Sequence, residues 1–114
     1  MPNIKAVARH IRVQPRKARL VAGAIQGLGV DEALGVLKFS KKKGAFYIRK
    51  ALLSAIANAE NNNKMDRRAL IVRSAIVDGG PIMRYAKRMR IRARYGSSRI
   101  QRRTSHITVT VGER

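Results

Sequence analysis

His10 and His106 are the two side chains of this 114-residue sequence whose unperturbed titration falls near neutral pH. A pair of imidazoles could in principle cleave a phosphodiester, one ring accepting a proton while the other donates one. They lie far apart in the sequence, each in an alternating stretch that reads as strand, and two histidines without a shared geometry make no mechanism. Glu60, Asp66 and Asp78 form no close acidic cluster that would hold magnesium. There is no Cys, which excludes disulfides and thiolate-bound zinc or iron–sulfur clusters. A phosphate-binding glycine loop, a nucleophile elbow and a His/Cys metal spacing are all missing from the sequence. An enzyme, a cofactor and a small-molecule substrate are therefore not expected.

What the chain carries in quantity is positive charge. Its 26 Lys and Arg stand against 6 Asp and Glu, a formal charge of +20. A compact domain with that charge repels itself, and a polyanion is the expected neutralising partner. Aromatic residues make up 4% of the chain, which argues against a module that stacks bases on aromatic platforms. Apolar residues reach 45%, but with so many of them Ala the core is expected to be thin. No apolar run approaches the roughly 20 residues that span a bilayer, no apolar signal region opens the chain, and the cytoplasm is the expected compartment.

The charges are unevenly spread. No acid precedes Asp31, and none falls between Asp78 and Glu113. Residues 79–103 hold nine Lys or Arg in 25 positions. This divides one domain, 1–114, into a globular body (1–78 and 104–114) and a basic extension (79–103). A structureless loop of that length is unusual in so small a domain, so the segment reads as two extended arms continuing the flanking strands. At about 3.3 Å per residue, half the segment reaches roughly 40 Å. Arg88, Arg90, Arg92 and Arg94 fall on every second residue, with Met89, Ile91 and Ala93 between them. In a strand, four guanidiniums would then share one face. Gly79-Gly80-Pro81 marks the exit from the sheet, and the tip is placed within 88–97, where Gly96-Ser97-Ser98 is the strong turn signal. With no core of its own, the arm is expected to take its shape from a phosphate-rich partner, which Arg grips bidentately.

The body must present its own cations. Residues 4–13 read as a strand with Arg9, Ile11 and Val13 on one side and His10 and Arg12 on the other. A helix starting at Pro15 carries Ala18, Val21, Ala22, Ile25 and Leu28 at helical spacing and ends at Gly27 and Gly29. A second, at about 31–39, buries Ala33, Leu34 and Leu37. A third, at 43–60, buries Ala45, Ile48, Leu52, Ala55, Ile56 and Ala59, and stops at Asn61-Asn62-Asn63-Lys64. Residues 69–78 alternate Leu70, Val72, Ser74 and Ile76 against Ile71, Arg73, Ala75 and Val77. Residues 104–111 alternate Ile107, Val109 and Val111, facing in, with Thr104, His106, Thr108 and Thr110, facing out. Arg9, Arg12, Arg16, Lys17 and Arg19 gather at the first strand–helix junction, where a helix N-terminus already favours anions. Lys41, Lys42 and Lys43 at the start of the third helix oppose its dipole, which suggests an external anion there. His106 is expected to hold a hydrogen bond or touch RNA.

Four segments match one family in order and spacing: Pro15-Arg16-Lys17-Ala18-Arg19-Leu20-Val21, Ser54-Ala55-Ile56-Ala57-Asn58-Ala59-Glu60-Asn61, Val77-Asp78-Gly79-Gly80-Pro81 and Arg102-Arg103-Thr104-Ser105-His106-Ile107-Thr108-Val109. Over nearly its full length the chain resembles the bacterial-type large-subunit ribosomal protein twenty-two family. The resemblance implies an α+β fold, a three-stranded antiparallel sheet packed with three helices, plus a long basic β-hairpin. It implies a structural constituent of the large ribosomal subunit that binds large-subunit ribosomal RNA, aids its assembly and reaches the nascent-peptide exit tunnel. The partners implied are that RNA, neighbouring ribosomal proteins and the nascent peptide, with no membrane. Besides the cations of the body named above, it assigns RNA contacts to Asn61, Lys64, Arg84, Lys87, Arg88, Arg99, Arg102, Arg103, Ser105 and His106. It assigns the tunnel tip to Arg88, Met89, Arg90, Ile91, Arg92, Ala93 and Arg94. Two departures stand out: Gly79 replaces the family's usual acid, and Tyr95-Gly96-Ser97-Ser98 replaces its common Gly-Arg-Ala. A basic-armed architectural DNA-binding protein is the alternative reading of the charge pattern.

Overall fold

The computed structural model describes residues 2–83, 88–94 and 96–114. Three strands form an antiparallel sheet in the order β1 (Ile4–Ile11), β5 (Ser105–Glu113), β2 (Leu70–Gly79). Three helices, α1 (Pro15–Ile25), α2 (Val30–Phe39) and α3 (Lys43–Ala57), cover one face of that sheet. A second, two-stranded sheet is the hairpin β3 (Arg88–Arg92) and β4 (Gly96–Ile100), which lies along the chain between β2 and β5. The fold is α+β, as the sequence implies.

The helices follow their apolar spacing. Pro15 opens α1, where its missing N–H is no loss, and Ala18, Val21, Ala22 and Ile25 are buried. All six expected residues are buried, five of them on α3, where Gly44 and Ala51 join them. Leu34 of α2 is only half-buried, and Val30 takes an inner position instead. The third helix ends differently from the expectation. Its α-helical part closes at Ala57, and Asn58–Asn62 form a π-helical turn that keeps Ala59 inside. Lys64 then takes a left-handed backbone (φ 50°) and reverses the chain.

Two bulges overturn the expected faces of the outer strands. The β1–β5 register slips between Ala8 and Ile11, and His10 there has φ 57°. Arg9 and His10 are both exposed as a result, so the alternation read over 4–13 breaks at its centre. On β2 the register slips between Val72 and Ser74. The extra residue, Arg73, moves the buried set from Leu70 and Val72 to Ala75 and Val77, while Ile76 turns outward and is half-exposed. The central strand β5 is regular, and Ile107, Val109 and Val111 have no exposed surface. Thr104, expected to face out, is buried, because its hydroxyl bonds Pro81 O at 2.6 Å across the root of the arm.

The outer edge of β2 is closed by α1 and the turn after it. Arg19 Nε donates to Val77 O (2.9 Å) and Gln26 Nε2 to Ala75 O (2.9 Å). The N–H of Gly27, in a left-handed conformation, donates to Val72 O, and Val72 N–H donates to Leu28 O. These bonds satisfy backbone groups that an open edge would offer to another chain.

The extension leaves the body as a pair of arms. Gly80 N–H donates to Thr104 O and Met83 N–H to Arg102 O. Farther out, β3 and β4 pair from Arg88↔Ile100 to Arg92↔Gly96, so the tip lies between Arg92 and Gly96. Gly96 (φ 70°) supplies the left-handed residue there, while Ser97 and Ser98 belong to the return strand. Arg94 falls in this turn rather than on the strand, which shortens the expected arginine row. The molecule measures 60 × 24 × 18 Å. Its radius of gyration of 17.0 Å exceeds the roughly 13 Å of a compact chain of this length.

Ser105 and Gly80 fix the arm's root against the body. Ser105 is fully buried, and its hydroxyl donates to Val13 O at the β1–α1 junction. A Cβ on Gly80 would sit 2.4 Å from Thr104 Oγ1 and 3.2 Å from the Thr104 carbonyl carbon. Replacing Ser105 by Ala strands a buried carbonyl, and urea denaturation should show a loss of about 1–3 kcal/mol. Gly80→Ala forces the two arms apart at Thr104, and the same titration should show a loss of about 1–3 kcal/mol, as for other overpacked sites.

Candidate nucleic-acid interface

Two groups stand out among the described basic residues. The first surrounds a crevice of about 1170 Å³ where the root of the arm faces the helix-bearing side of the body. Arg12, Lys17, Lys42, Lys43, Arg102 and Arg103 line it, all exposed. Four separate stretches of chain bring them together. Arg12 follows β1, Lys17 lies in the first turn of α1, Lys42 and Lys43 open α3, and Arg102 and Arg103 lie on the return arm. Gly44 allows this convergence. A Cβ there would stand 3.3 Å from Ala18 Cα, so the first turns of α1 and α3 pack backbone to backbone. Neither helix has a side-chain cap or an acid in its first turn, so both starts present free N–H groups and positive dipole ends.

The second group is the hairpin. The register puts Arg90 and Arg92 on one face with Ser98 and Gly96, and Met89 and Ile91 on the other with Arg99 and Ser97. Every one of these side chains except that of Ser98 is exposed, and Ile91 is 88% exposed. Arg94 and Ala93 are exposed in the turn. Arg88 stands opposite Ile100 in the ladder, and Arg84 and Lys87 lie outside the described residues.

The remaining candidates are scattered. Arg16 is exposed in the first turn of α1, and Lys41 precedes α3 without lining the crevice. Asn61 and Lys64 are exposed at the turn after α3. Arg19 is exposed but its Nε is engaged by Val77 O. Ser105 is buried with its hydroxyl bonded, so its side chain reaches no ligand. Gln14 and Gln101 also line the crevice, although neither carries the charge that marks its neighbours in the sequence. Gln14 sits at the Pro15 junction and Gln101 beside the Arg102-Arg103 pair, which is the signal that could have found them.

The structure does bring the two histidines together. The rings meet edge to face with centroids 4.9 Å apart, and His10 N–H donates to His106 Nδ1 at 3.1 Å. That bond fixes the left-handed bulge at His10 and makes Nδ1 an acceptor, which places the ring proton of neutral His106 on Nε2. Arg9 and Asp78 share the same small cleft. His106 thus holds a backbone hydrogen bond, one of the two roles expected for it.

Charge compensation is sparse. Among the described residues the one ion pair is Arg67–Asp31 (2.8 Å), on the surface and away from both groups. No acidic residue lines the crevice, and none occurs in 79–103. Convergent, unpaired cations on a concave surface are a design for holding an anion rather than for transforming one.

Comparison with known proteins gives the same direction. The family model described as ribosomal protein L22p/L17e matches residues 6–112. The large ribosomal subunit protein uL22 of Syntrophomonas wolfei is 52% identical over 111 residues, covering 96% of this chain and 95% of that protein. Its counterparts in Desulforamulus reducens and Thermus thermophilus are 48% and 46% identical over 110 residues, with the same coverage. A helix-covered sheet with a basic hairpin, matched end to end by these relatives, belongs to the ribosomal protein L22p/L17e family, structural and non-enzymatic components of the large ribosomal subunit.

Proposed function

We propose that this chain binds large-subunit ribosomal RNA through the crevice and the hairpin, that it aids the assembly of that RNA, and that the hairpin tip reaches the nascent-peptide exit tunnel of cytoplasmic ribosomes. The chain acts as one domain, with body 1–78 and 104–114 and arm 79–103. The observation that carries the reading is the acid-free basic crevice between the body and the arm's root, continued on a hairpin that has no apolar core among its described residues. Such an arm gains order from what it touches. The chain's RNA contacts fall to Arg12, Lys17, Lys42, Lys43, Arg99, Arg102 and Arg103, with Arg9, Arg16, Lys41 and Lys64 on the flanks. Arg90, Arg92 and Arg94 add phosphate contacts along the hairpin and, beside Met89, Ile91 and Ala93, form the tip offered to the tunnel and the passing peptide. Phosphate neutralisation supplies affinity, and the shape of the RNA supplies selectivity. Neighbouring ribosomal proteins are the remaining partners.

The affinity for a large-subunit ribosomal RNA fragment should fall steeply with salt. With about ten phosphates contacted, the slope of log K against log salt should be about −7 to −9. A slope near −2 in filter binding would contradict a phosphate-dominated interface. Replacing Arg90, Arg92, Arg94 and Arg99 together by Ala should leave the thermal transition of the body in place and flatten the slope by about 3. In competition with the wild type for incorporation into large subunits, this variant should be depleted, and equal incorporation would refute the role of the arm.

A further inference from the structure

The crevice differs from the rest of the basic surface in one respect: its two walls belong to different parts of the molecule. One wall is the body, at the starts of α1 and α3, and the other is the root of the arm, from Met83 and from Ile100 to Arg103. The two sheets are separate, and residues 101–104 between β4 and β5 form no strand. Among the described residues, Gly80–Thr104 and Met83–Arg102 are the backbone bonds that pair the arms across this gap. With the Thr104 hydroxyl on Pro81 O and the Ser105 hydroxyl on Val13 O, these bonds hold the junction at its base, while the cations on its two sides repel one another.

The chemistry of the lining narrows the ligand. Six cations with no acid select an anion of several charges. The volume is above the roughly 300–1,000 Å³ of ordinary small-molecule sites, which is ample for several adjacent phosphates. The lining is also partly apolar. Val13, Leu20, Met83 and Ile100 contribute to it, and Leu20 is 63% exposed. An apolar surface beside phosphate-binding cations suits sugar and base faces, which a bare inorganic phosphate lacks.

Resting on the RNA-binding reading above, we propose that the crevice is a discrete site for clustered phosphodiesters of a sharply turned RNA strand, and that filling it fixes the angle between arm and body. The bound phosphates lie between Lys17, Lys42 and Lys43 on one side and Arg102 and Arg103 on the other. They replace repulsion across the junction by attraction and so align the hairpin before its tip makes any contact. The hairpin's distal arginines contribute to binding RNA but not to this alignment.

The test uses the full chain with tripolyphosphate as the probe of clustered phosphate. Two variants remove equal charge: Lys17→Gln, Lys42→Gln, Lys43→Gln and Arg102→Gln in the crevice, and Lys5→Gln, Lys38→Gln, Lys50→Gln and Arg68→Gln on exposed parts of the body outside it. In calorimetric titration the crevice variant should bind tripolyphosphate about tenfold or more weakly, while the body variant stays within about twofold of wild type. Equal losses in both variants would overturn the site in favour of diffuse charge attraction. The chain has no native Cys, so spin labels at Ala57→Cys and Ser97→Cys report the distance between body and hairpin. Tripolyphosphate should narrow that distance distribution in wild type and leave it broad in the crevice variant, and an unchanged wild-type distribution would overturn the alignment. Tripolyphosphate should also compete with a large-subunit ribosomal RNA fragment for wild type and much less for the crevice variant. Competition of equal strength for both would mean that free polyphosphate and RNA use different sites, which overturns the assignment to RNA. These outcomes are separate from the wider reading, which fails if wild type does not bind the RNA fragment at all.

Discussion

Electrostatic repulsion is the constraint that the rest of this structure answers. A charge of +20 on 114 residues must be accommodated by a core built largely of Ala, Val and Ile, with one surface ion pair among the described residues. The body meets this by keeping its Lys and Arg on the outside: among the described residues no charged side chain is buried, and the buried polar ones are Thr104 and Ser105, both hydrogen-bonded. The arm meets it by extension, since charges on a two-stranded ribbon are farther apart than they would be on a compact surface. The crevice is the exception, where the fold itself gathers cations, and so it is the place where an anion changes the energy most.

Small residues make that exception possible. Gly44 against Ala18 brings two helix starts together, and the Ala positions of α3 let it approach the sheet closely. A larger residue at position 44 would separate the helix starts and open the crevice. The same device recurs at Gly80, where the arms converge on Thr104. Close backbone approach is used wherever the molecule must turn charge inward or launch the arm.

The sequence made the helices legible because their apolar residues repeat at helical spacing and their ends carry Pro, Gly or Asn. It made β5 legible because no bulge interrupts Ile107, Val109 and Val111. The bulges at His10 and Arg73 were not legible. A single inserted residue reverses the faces of everything after it, and neither residue is of a type that announces a bulge. The sequence bounds the tip only to 88–97, because the midpoint of 79–103, Ile91, marks the turn only for arms of equal length. The outgoing stretch from Gly79 to Arg88 is longer than the return from Ile100 to Ser105, which moves the turn toward Gly96. The cations of the crevice were each visible in the sequence, but their meeting was not. Arg12 and Arg102 come together through the Ser105–Val13 contact and the pairing of β1 with β5, which are long-range events. The Ser105 hydroxyl, read from the resemblance as an RNA contact, belongs to that same contact.

The order β1-β5-β2 places the strand made after the hairpin between the two made before it. During synthesis, the first two strands therefore have no neighbour to pair with until the basic segment has been completed. The inner strand contributes Ile107, Val109 and Val111 to the core, so a chain that stops short of it lacks the centre of its own interior. Translation thus makes possession of an intact finger a precondition for a finished sheet. A truncated product would be left to proteolysis before it could compete for a place in the particle.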